Sequence, residues 1–312
     1  MDLDVFFAGT AGSVPTARRG MPALLVRRGG DRLLFDCGEG AQRQLVRSIG
    51  LPEIDDVFLT HFHADHWLGL PGMLKTFDLR GRERPLAVHG PRGLKEILTV
   101  IRRAYGRVSY ELELVELEPG ASVRRDGYTV AALGVEHRVP ALGYVLFEDQ
   151  RPGEFDPAEA QRLGVAPGPD FGRLQRGEAC NGVSPEQVVG PARPGRKLVV
   201  SGDTAPCEAM ALAAHEADVL VHEATFTEPE RGRAAQTGHS TAAQVAALAR
   251  DAQVRLLALT HLSTRYGGGE VREEARAIFK ATEVPRDFDT IELPFPERGK
   301  PALVRWRDPP AT

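Results

Sequence analysis

Short apolar runs recur along the chain, and most lead into a turn or a stretch with helical spacing. "DVFFAG" and "ALLVRR" come first, then "RLLFDCGEG", which passes into a helical pattern around "AQRQLVRSI". "DDVFLT" precedes a predicted helix over residues 66–79, and "PLAVHG" precedes another through "GLKEILTVIRRAY". Strand patterns then cluster at "YELELVEL", "YTVAALGV" and "LGYVLFE". After residue 196 the alternation resumes: "KLVVSG", the helical "CEAMALAAHEA", "DVLVHE", the helical "STAAQVAALARDA", "RLLALTH" and the helical "EVREEARAIF". Hairpins mixed with strand–helix units predict a large layered α/β fold with helices outside.

Residues 151–195 break this order. They hold fifteen glycines or prolines, gathered in "LGVAPGPDFGRLQRGE" and "VVGPARPGR". A loop of that length inside a compact domain is uncommon and is often functional. The expected organisation is one domain over 1–312 with 151–195 inserted into it.

Composition narrows the function classes. A chain of 312 residues, 42% hydrophobic, can bury a large core. No window approaches the roughly 18 consecutive apolar residues of a membrane span. The start, "MDLDVFFAGT", lacks the basic region of a secretory leader. Cys37, Cys180 and Cys207 are odd in number and lack metal-type spacing, as expected of reduced thiols in a cytoplasmic protein. Net charge is 39 − 43 = −4, so any polyanion site must be a local patch.

The chemistry gathers where strands end. "VFLT" is followed by His61, "VVSG" by Asp203 and "LLALT" by His261, while "VLVH" runs into Glu223. Strand ends on one sheet edge are where ligand sites form in layered α/β proteins. Within "THFHADH", His61 and His63 lie two apart and point the same way in an extended segment. Asp65 and His66 start the next helix and can face a second centre. Imidazole and carboxylate suit a borderline divalent ion such as Zn2+. The further ligands such a pair of ions needs are available from His137, Asp203 and His261, with Asp203 able to serve both. His222, adjacent to Glu223 on its strand, points to the opposite face and reads as structural, as do His89 and His215.

These residues carry a resemblance. "THFHADH" resembles the signature of the metallo-β-lactamase superfamily, which implies a four-layer αββα sandwich with a one- or two-metal site. "GTAGSVPTARRG", "LLFDCGEGAQRQL", "GLPGML", "VHGPRGL", "SGDTAPCE", "HEATF", "GHSTAAQVA" and "LTHLSTRY" are similar, in order, to the blocks of the ribonuclease Z family. "GVAPGP" is similar to that family's flexible arm, which grips the tRNA elbow. Ala64 stands where glycine is commoner, and Ala166 where the arm usually has proline.

The resemblance implies two zinc ions per subunit, one on His61, His63, His137 and Asp203 and the other on Asp65, His66, Asp203 and His261. It implies an endoribonuclease that removes the 3′ trailer from precursor tRNA, leaving a tRNA 3′-hydroxyl and a 5′-phosphorylated trailer. Asp65 is then expected to orient and deprotonate the attacking water. His239 of "GHST" is expected to protonate the leaving oxygen, with Glu223 of "HEAT" orienting it. A homodimer is implied as well, one subunit's arm holding the tRNA cut by the other. Arg265 and Tyr266, just after His261, and Arg173 and Arg176 in "FGRLQRG" are candidate substrate contacts. The arm is not strongly basic: six arginines face six acidic residues from 151 to 196. Two rivals share these features, a small-molecule phosphodiesterase on the same fold and a non-catalytic RNA-binding protein. A small substrate has no use for a long arm, and the complete ligand set argues against lost catalysis.

Overall fold

The computed structural model describes residues 1–307. In chain order the first strands are β1 (Leu3–Gly9), β2 (Ala23–Arg28), β3 (Asp31–Phe35), β4 (Asp56–Phe58), β5 (Leu86–Gly90) and β6 (Leu112–Glu116). They are followed by β7 (Ser122–Arg125), β8 (Tyr128–Gly134), β9 (Leu142–Glu148), β10 (Lys197–Val200), β11 (Val219–Glu223), β12 (Leu256–Thr260) and β13 (Thr282–Glu283). The last strands, β14 (Thr290–Glu292) and β15 (Ala302–Val304), return to the first sheet.

That sheet has the order β15-β14-β1-β2-β3-β4-β5-β6, and the other β13-β12-β11-β10-β9-β8-β7. Both are mixed. In the first, β1–β2–β3 pair antiparallel and β3–β4–β5–β6 parallel. In the second, β10 through β13 are parallel. Parallel strands joined through helices put their carboxyl ends on one edge, where loops can gather ligands.

Helices cover the outer faces. On the first sheet these are α1 (Ala41–Ser48), α2 (Ala64–Trp67), α3 (Leu70–Leu79) and α4 (Leu94–Tyr105). The inserted segment contributes α5 (Pro157–Arg162) and α6 (Pro169–Gln175). The second sheet carries α7 (Glu208–Ala214), α8 (Arg231–Thr237), α9 (Ala242–Asp251) and α10 (Gly268–Ile278). One core, with Leu45, Met73, Phe77 and Leu98, lies between the first sheet and its helices. Another, with Met210, Val245, Ala249 and Val271, lies under the second. Burying each such large apolar side chain contributes about 1.5–3 kcal/mol.

Between the sheets, Tyr144 of β9 meets Phe35 and Phe58 edge-on, with centroids at 5.6 and 5.3 Å. Its hydroxyl donates to Leu59 O at 2.6 Å. This contact sits just before His61, so the sandwich interior anchors the loop that begins the "HFHADH" run.

The single helix expected over 66–79 is two helices. Gly69 N–H donates to Cys37 O at 2.9 Å, and a Cβ at Gly69 would lie 2.0 Å from Gly38 O. Glycine permits that close approach, which ties α2 to the loop after β3.

The chain divides into two compact units, one of Met1–Arg124, Val130–Leu146 and Lys197–Thr312, the other of Arg125–Thr129 and Phe147–Arg196. The second has its own small core of Ala160, Val165, Leu174, Cys180, Val183 and Val188. Phe155 packs edge-on against Phe171 at 4.9 Å, and Asp156 caps α5 by accepting from Glu159 N–H at 2.9 Å. A buried bidentate pair joins the ends of the excursion: Arg196 Nε and Nη2 donate to Glu148 at 2.7 and 2.8 Å.

Candidate metal centre

Asp36 follows β3 and His61 follows β4, two neighbouring parallel strands. Asp203 follows β10, Glu223 closes β11 and His261 follows β12, again on neighbouring parallel strands. Strand polarity therefore delivers five of these side chains to one edge. His63 is the N-cap of α2 and Asp65 and His66 lie within it, His137 comes from the β8–β9 connection and His239 from the turn between α8 and α9. Three non-glycine residues here, Ser13, Asp36 and His261, are left-handed, with φ of 59°, 57° and 56°. Such conformations cost on the order of 1–3 kcal/mol each and persist where surrounding contacts hold them.

The candidate ligands form two groups, and a third, overlapping one joins Asp203 and His261 with His239. His61, His63, His137 and Asp203 have donor atoms within 4.8 Å of one another, and so do Asp65, His66 and His261. In the first group, His61 Nε2 is 2.9 Å from His63 Nδ1, which is 3.2 Å from His137 Nε2. In the second, His261 Nε2 is 3.4 Å from His66 Nε2 and 3.3 Å from Asp65 Oδ2. Asp203 Oδ2 lies 3.7 Å from His61 Nε2 and 3.3 Å from both His66 Nε2 and His261 Nε2, so it reaches both groups.

The outer nitrogens of four of these rings are already committed. His66 Nδ1 donates to Asp36 Oδ2 at 2.7 Å, and His137 Nδ1 to Gly238 O at 2.7 Å. Thr225 Oγ1 donates to Glu223 Oε2 at 2.7 Å and accepts from His261 Nδ1 at 2.8 Å. Thr60 Oγ1 likewise donates to Asp36 and accepts from His61 Nδ1 at 3.0 Å. His61, His66, His137 and His261 are thereby turned with Nε2 inward, the orientation a metal ligand requires, while His63 faces the cluster through Nδ1.

The donor set fits a divalent cation. Asp203 Oδ1 is buried and has no hydrogen-bond partner among the described residues, a costly state for a carboxylate oxygen unless a cation meets it. Electrostatics agree. Burial works against charge on His66, yet Asp203 and Asp36 hold its pKa well above the ordinary imidazole range. Burial also opposes ionisation of Asp203, but His261 and His66 hold its carboxyl well below the usual carboxylate range. At His61, His63 and His137 burial instead lowers the pKa and favours the neutral ring.

Ser13 N–H donates to Asp65 Oδ2 at 3.0 Å, so the glycine-rich turn after β1 aims an amide at a carboxylate. At Gly12 a Cβ would lie 2.7 Å from both His261 Nδ1 and His261 O, which reserves the position for glycine. Beside the cluster, His239 Nδ1 donates to Glu223 Oε1 at 2.8 Å. Burial opposes the charged form of His239, but Glu223 outweighs it and raises the pKa. Glu223 also accepts from Thr204 N–H at 3.1 Å and Thr225 N–H at 3.0 Å, which hold it rigidly.

Other singled-out residues lie elsewhere. Arg173 and Arg176 are on or next to α6, exposed and ion-paired with Asp170 and Glu178. Arg265 is exposed, while the half-buried Tyr266 donates its hydroxyl to Glu230. His222 donates Nδ1–H to Glu223 O, away from the cluster, and His89 is buried against Asp56 at 2.7 Å. Sequence reasoning missed Asp36, although it ends the apolar run "RLLF" just as Asp203 ends "VVSG".

A family model of the metallo-beta-lactamase superfamily matches residues 20–260. A protein named Ribonuclease Z from Methanosarcina mazei is 46% identical, over 94% of this chain and 99% of that protein. The chain belongs to the ribonuclease Z family. Another protein of that name, from Myxococcus xanthus, is 47% identical over 94% of this chain and 98% of its own. Among solved structures, human tRNase Z, short form, aligns with a TM-score of 0.69 at 27% identity, covering 93% of this chain and 99% of that one. A metallo-beta-lactamase fold protein from Bacillus subtilis aligns with a TM-score of 0.70 at 18% identity, over 94% of this chain and 100% of its own, which speaks to the fold alone. These matches cover most of the chain.

Proposed function

We propose that this protein is a zinc-dependent endoribonuclease that removes the 3′ trailer from precursor tRNA. The observation that carries the reading is Asp203, whose Oδ2 reaches both ligand groups while its buried Oδ1 has no partner among the described residues. His61, His63, His137 and Asp203 would hold one ion, and Asp65, His66, His261 and the shared Asp203 the other. When bound, a zinc pair supplies Lewis acidity that lowers the pKa of water and offsets charge growing on the phosphoryl oxygens.

The chain's own groups do the rest. Asp65, steered by the Ser13 amide, orients the attacking water and takes its proton. Water adds to phosphorus as the bond to the tRNA 3′-oxygen breaks. His239, held through Nδ1 by Glu223, gives its Nε2 proton to that leaving oxygen. The products are a tRNA with a 3′-hydroxyl and a trailer bearing the 5′-phosphate. The relatives' name supports tRNA as substrate, and the separate folded unit around α5 and α6 supports a structured RNA over a small diester. Arg173 and Arg176 of that unit, and Arg265 and Tyr266 after His261, are the proposed RNA contacts. The assembly we propose is a homodimer in the cytoplasm. Three unpaired cysteines suit that compartment, and no described helix is long and apolar enough to cross a membrane.

The deciding experiment is cleavage of a 3′-extended precursor tRNA by zinc-loaded protein, with both new ends mapped and Asp65→Ala run beside it. A single cut leaving a 3′-hydroxyl and a 5′-phosphate, lost in the variant, is the expected result. An intact precursor alongside hydrolysis of a small diester would overturn the tRNA assignment.

A further inference from the structure

A cavity of about 580 Å³ opens beside the metal centre, within the roughly 300–1,000 Å³ typical of ligand sites. Its walls are the Thr16–Arg19 turn, the segment Leu262–Gly269 that follows His261, the first turns of α10, and Arg286. Both loops are tied to the cluster. Gly12 N–H donates to Leu262 O at 3.0 Å and Leu262 N–H to Thr10 O at 3.2 Å, next to Ser13 and its bond to Asp65.

Five arginines line the cavity and no carboxylate does. Two are occupied. Arg19 Nη1 donates to Thr10 Oγ1 at 2.5 Å and Pro285 O at 3.0 Å, and Arg305 pairs with Asp289 at 2.6 Å. The guanidinium groups of Arg18, Arg272 and Arg286 make no hydrogen bond or ion pair with any described residue. In a chain of net charge −4, three unpaired cations on one concave wall are a concentrated anion site. They come from three separate segments and so are spread along the wall, which suits repeated charges on a chain better than one isolated anion.

We propose that this pocket binds backbone phosphates of the RNA strand next to the scissile bond, with Arg272 and Arg286 as phosphate contacts that govern binding and not chemistry. The inference rests on the endoribonuclease reading. Backbone contacts carry no base information, so they hold trailers of any sequence. For single strands the dependence of log affinity on log salt is about −0.7 per phosphate neutralised.

The test uses zinc-loaded full-length protein and the R272A/R286A pair, with cleavage of 3′-extended precursor tRNA measured across a salt series. Hydrolysis of bis(p-nitrophenyl) phosphate, which is too small to span the pocket, reports the metal centre. The expected result is a KM for RNA raised roughly tenfold, kcat within about twofold, and a salt slope of kcat/KM shallower by about 1.4. The small diester should be hydrolysed as in the wild type, and R272K/R286K should restore the slope. An unchanged KM and slope, or a parallel loss on the small diester, would overturn the proposal. Adenosine 5′-monophosphate binding that is lost in R272A/R286A while the RNA KM stays put assigns the pocket to a free phosphate monoester and also overturns it. If wild-type protein hydrolyses the small diester but cuts no RNA, the endoribonuclease reading fails on its own. Anisotropy with a 5′-phosphorylated RNA oligonucleotide then judges the pocket: weaker binding by R272A/R286A upholds it, and equal binding sinks it.

Discussion

His66 Nδ1 donates to Asp36 Oδ2 at 2.7 Å, and the same carboxylate accepts from Thr60 N–H at 2.8 Å and from the Thr60 hydroxyl. Asp36 thus sets His66 directly and His61 through Thr60 Oγ1, one ring from each ligand group. A carboxylate behind a metal-ligating histidine fixes its tautomer and raises its basicity, and losing it typically costs about 10–100-fold in metal affinity. Asp36→Asn should weaken zinc binding by that order with the fold intact, measured by competition against a chromophoric chelator. Wild-type affinity in the variant would mean that the bond is incidental.

The Glu223–His239 pair predicts a pH signature. Its raised pKa keeps His239 protonated to higher pH than an ordinary imidazole, so a rate that needs this donor falls only as pH rises through the raised value. Glu223→Gln removes the charge that raises it, and the falling limb of kcat should move to lower pH. His239→Ala should cut kcat by about 10²–10⁴-fold, and the double variant should be little worse than the single one, because the two act as a unit. Additive losses, or a basic limb that stays in place, would show that the two residues act separately.

Metal removal should be felt in stability as well as in rate. Asp203 Oδ1 has no partner among the described residues, and the facing nitrogens of His66 and His261 stand 3.4 Å apart, arrangements that a cation relieves. A ligand that binds only the folded chain stabilises it by about 2.7 kcal/mol at one hundred times its dissociation constant. Chelation should therefore lower Tm and abolish hydrolysis together, and zinc should restore both. Calorimetry on stripped and reloaded protein checks this. A Tm indifferent to chelation would contradict a metal centre built into the fold.

Much of this centre was legible because strand ends leave a plain trace: an apolar run, then a polar residue able to bind or titrate. Asp203, Glu223 and His261 all follow that rule. Asp36 follows it too, but a lone aspartate before "CGEG" reads equally well as a turn residue. Thr60 and Thr225 were not legible, because their role exists only once His61 and His261 are brought over their hydroxyls. The break at Gly69 depends on a carbonyl from residue 37, which no helical periodicity records. Residues 151–195 misled in another way. Their glycines and prolines signal a loop, while the apolar side chains of its small core are too widely spaced to show a period.

That core makes a prediction about the pair at its ends. Arg196 is 1% exposed and Glu148 9%, and the two make a bidentate contact. Arg196→Ala leaves a buried carboxylate without this partner, a loss of about 3–5 kcal/mol where such pairs are broken. The core over 155–188 is too small to absorb that, so the segment should open locally. Hydrogen exchange should accelerate across α5 and α6, and a protease should cut within 151–195. Replacing both partners with apolar residues, as in E148L/R196M, should recover most of the protection, because no buried charge is then stranded. If Arg196→Ala exchanges like the wild type, the pair does not hold the unit closed. If the double variant is as open as the single one, the pairing geometry itself, and not the stranded charge, is what the segment needs.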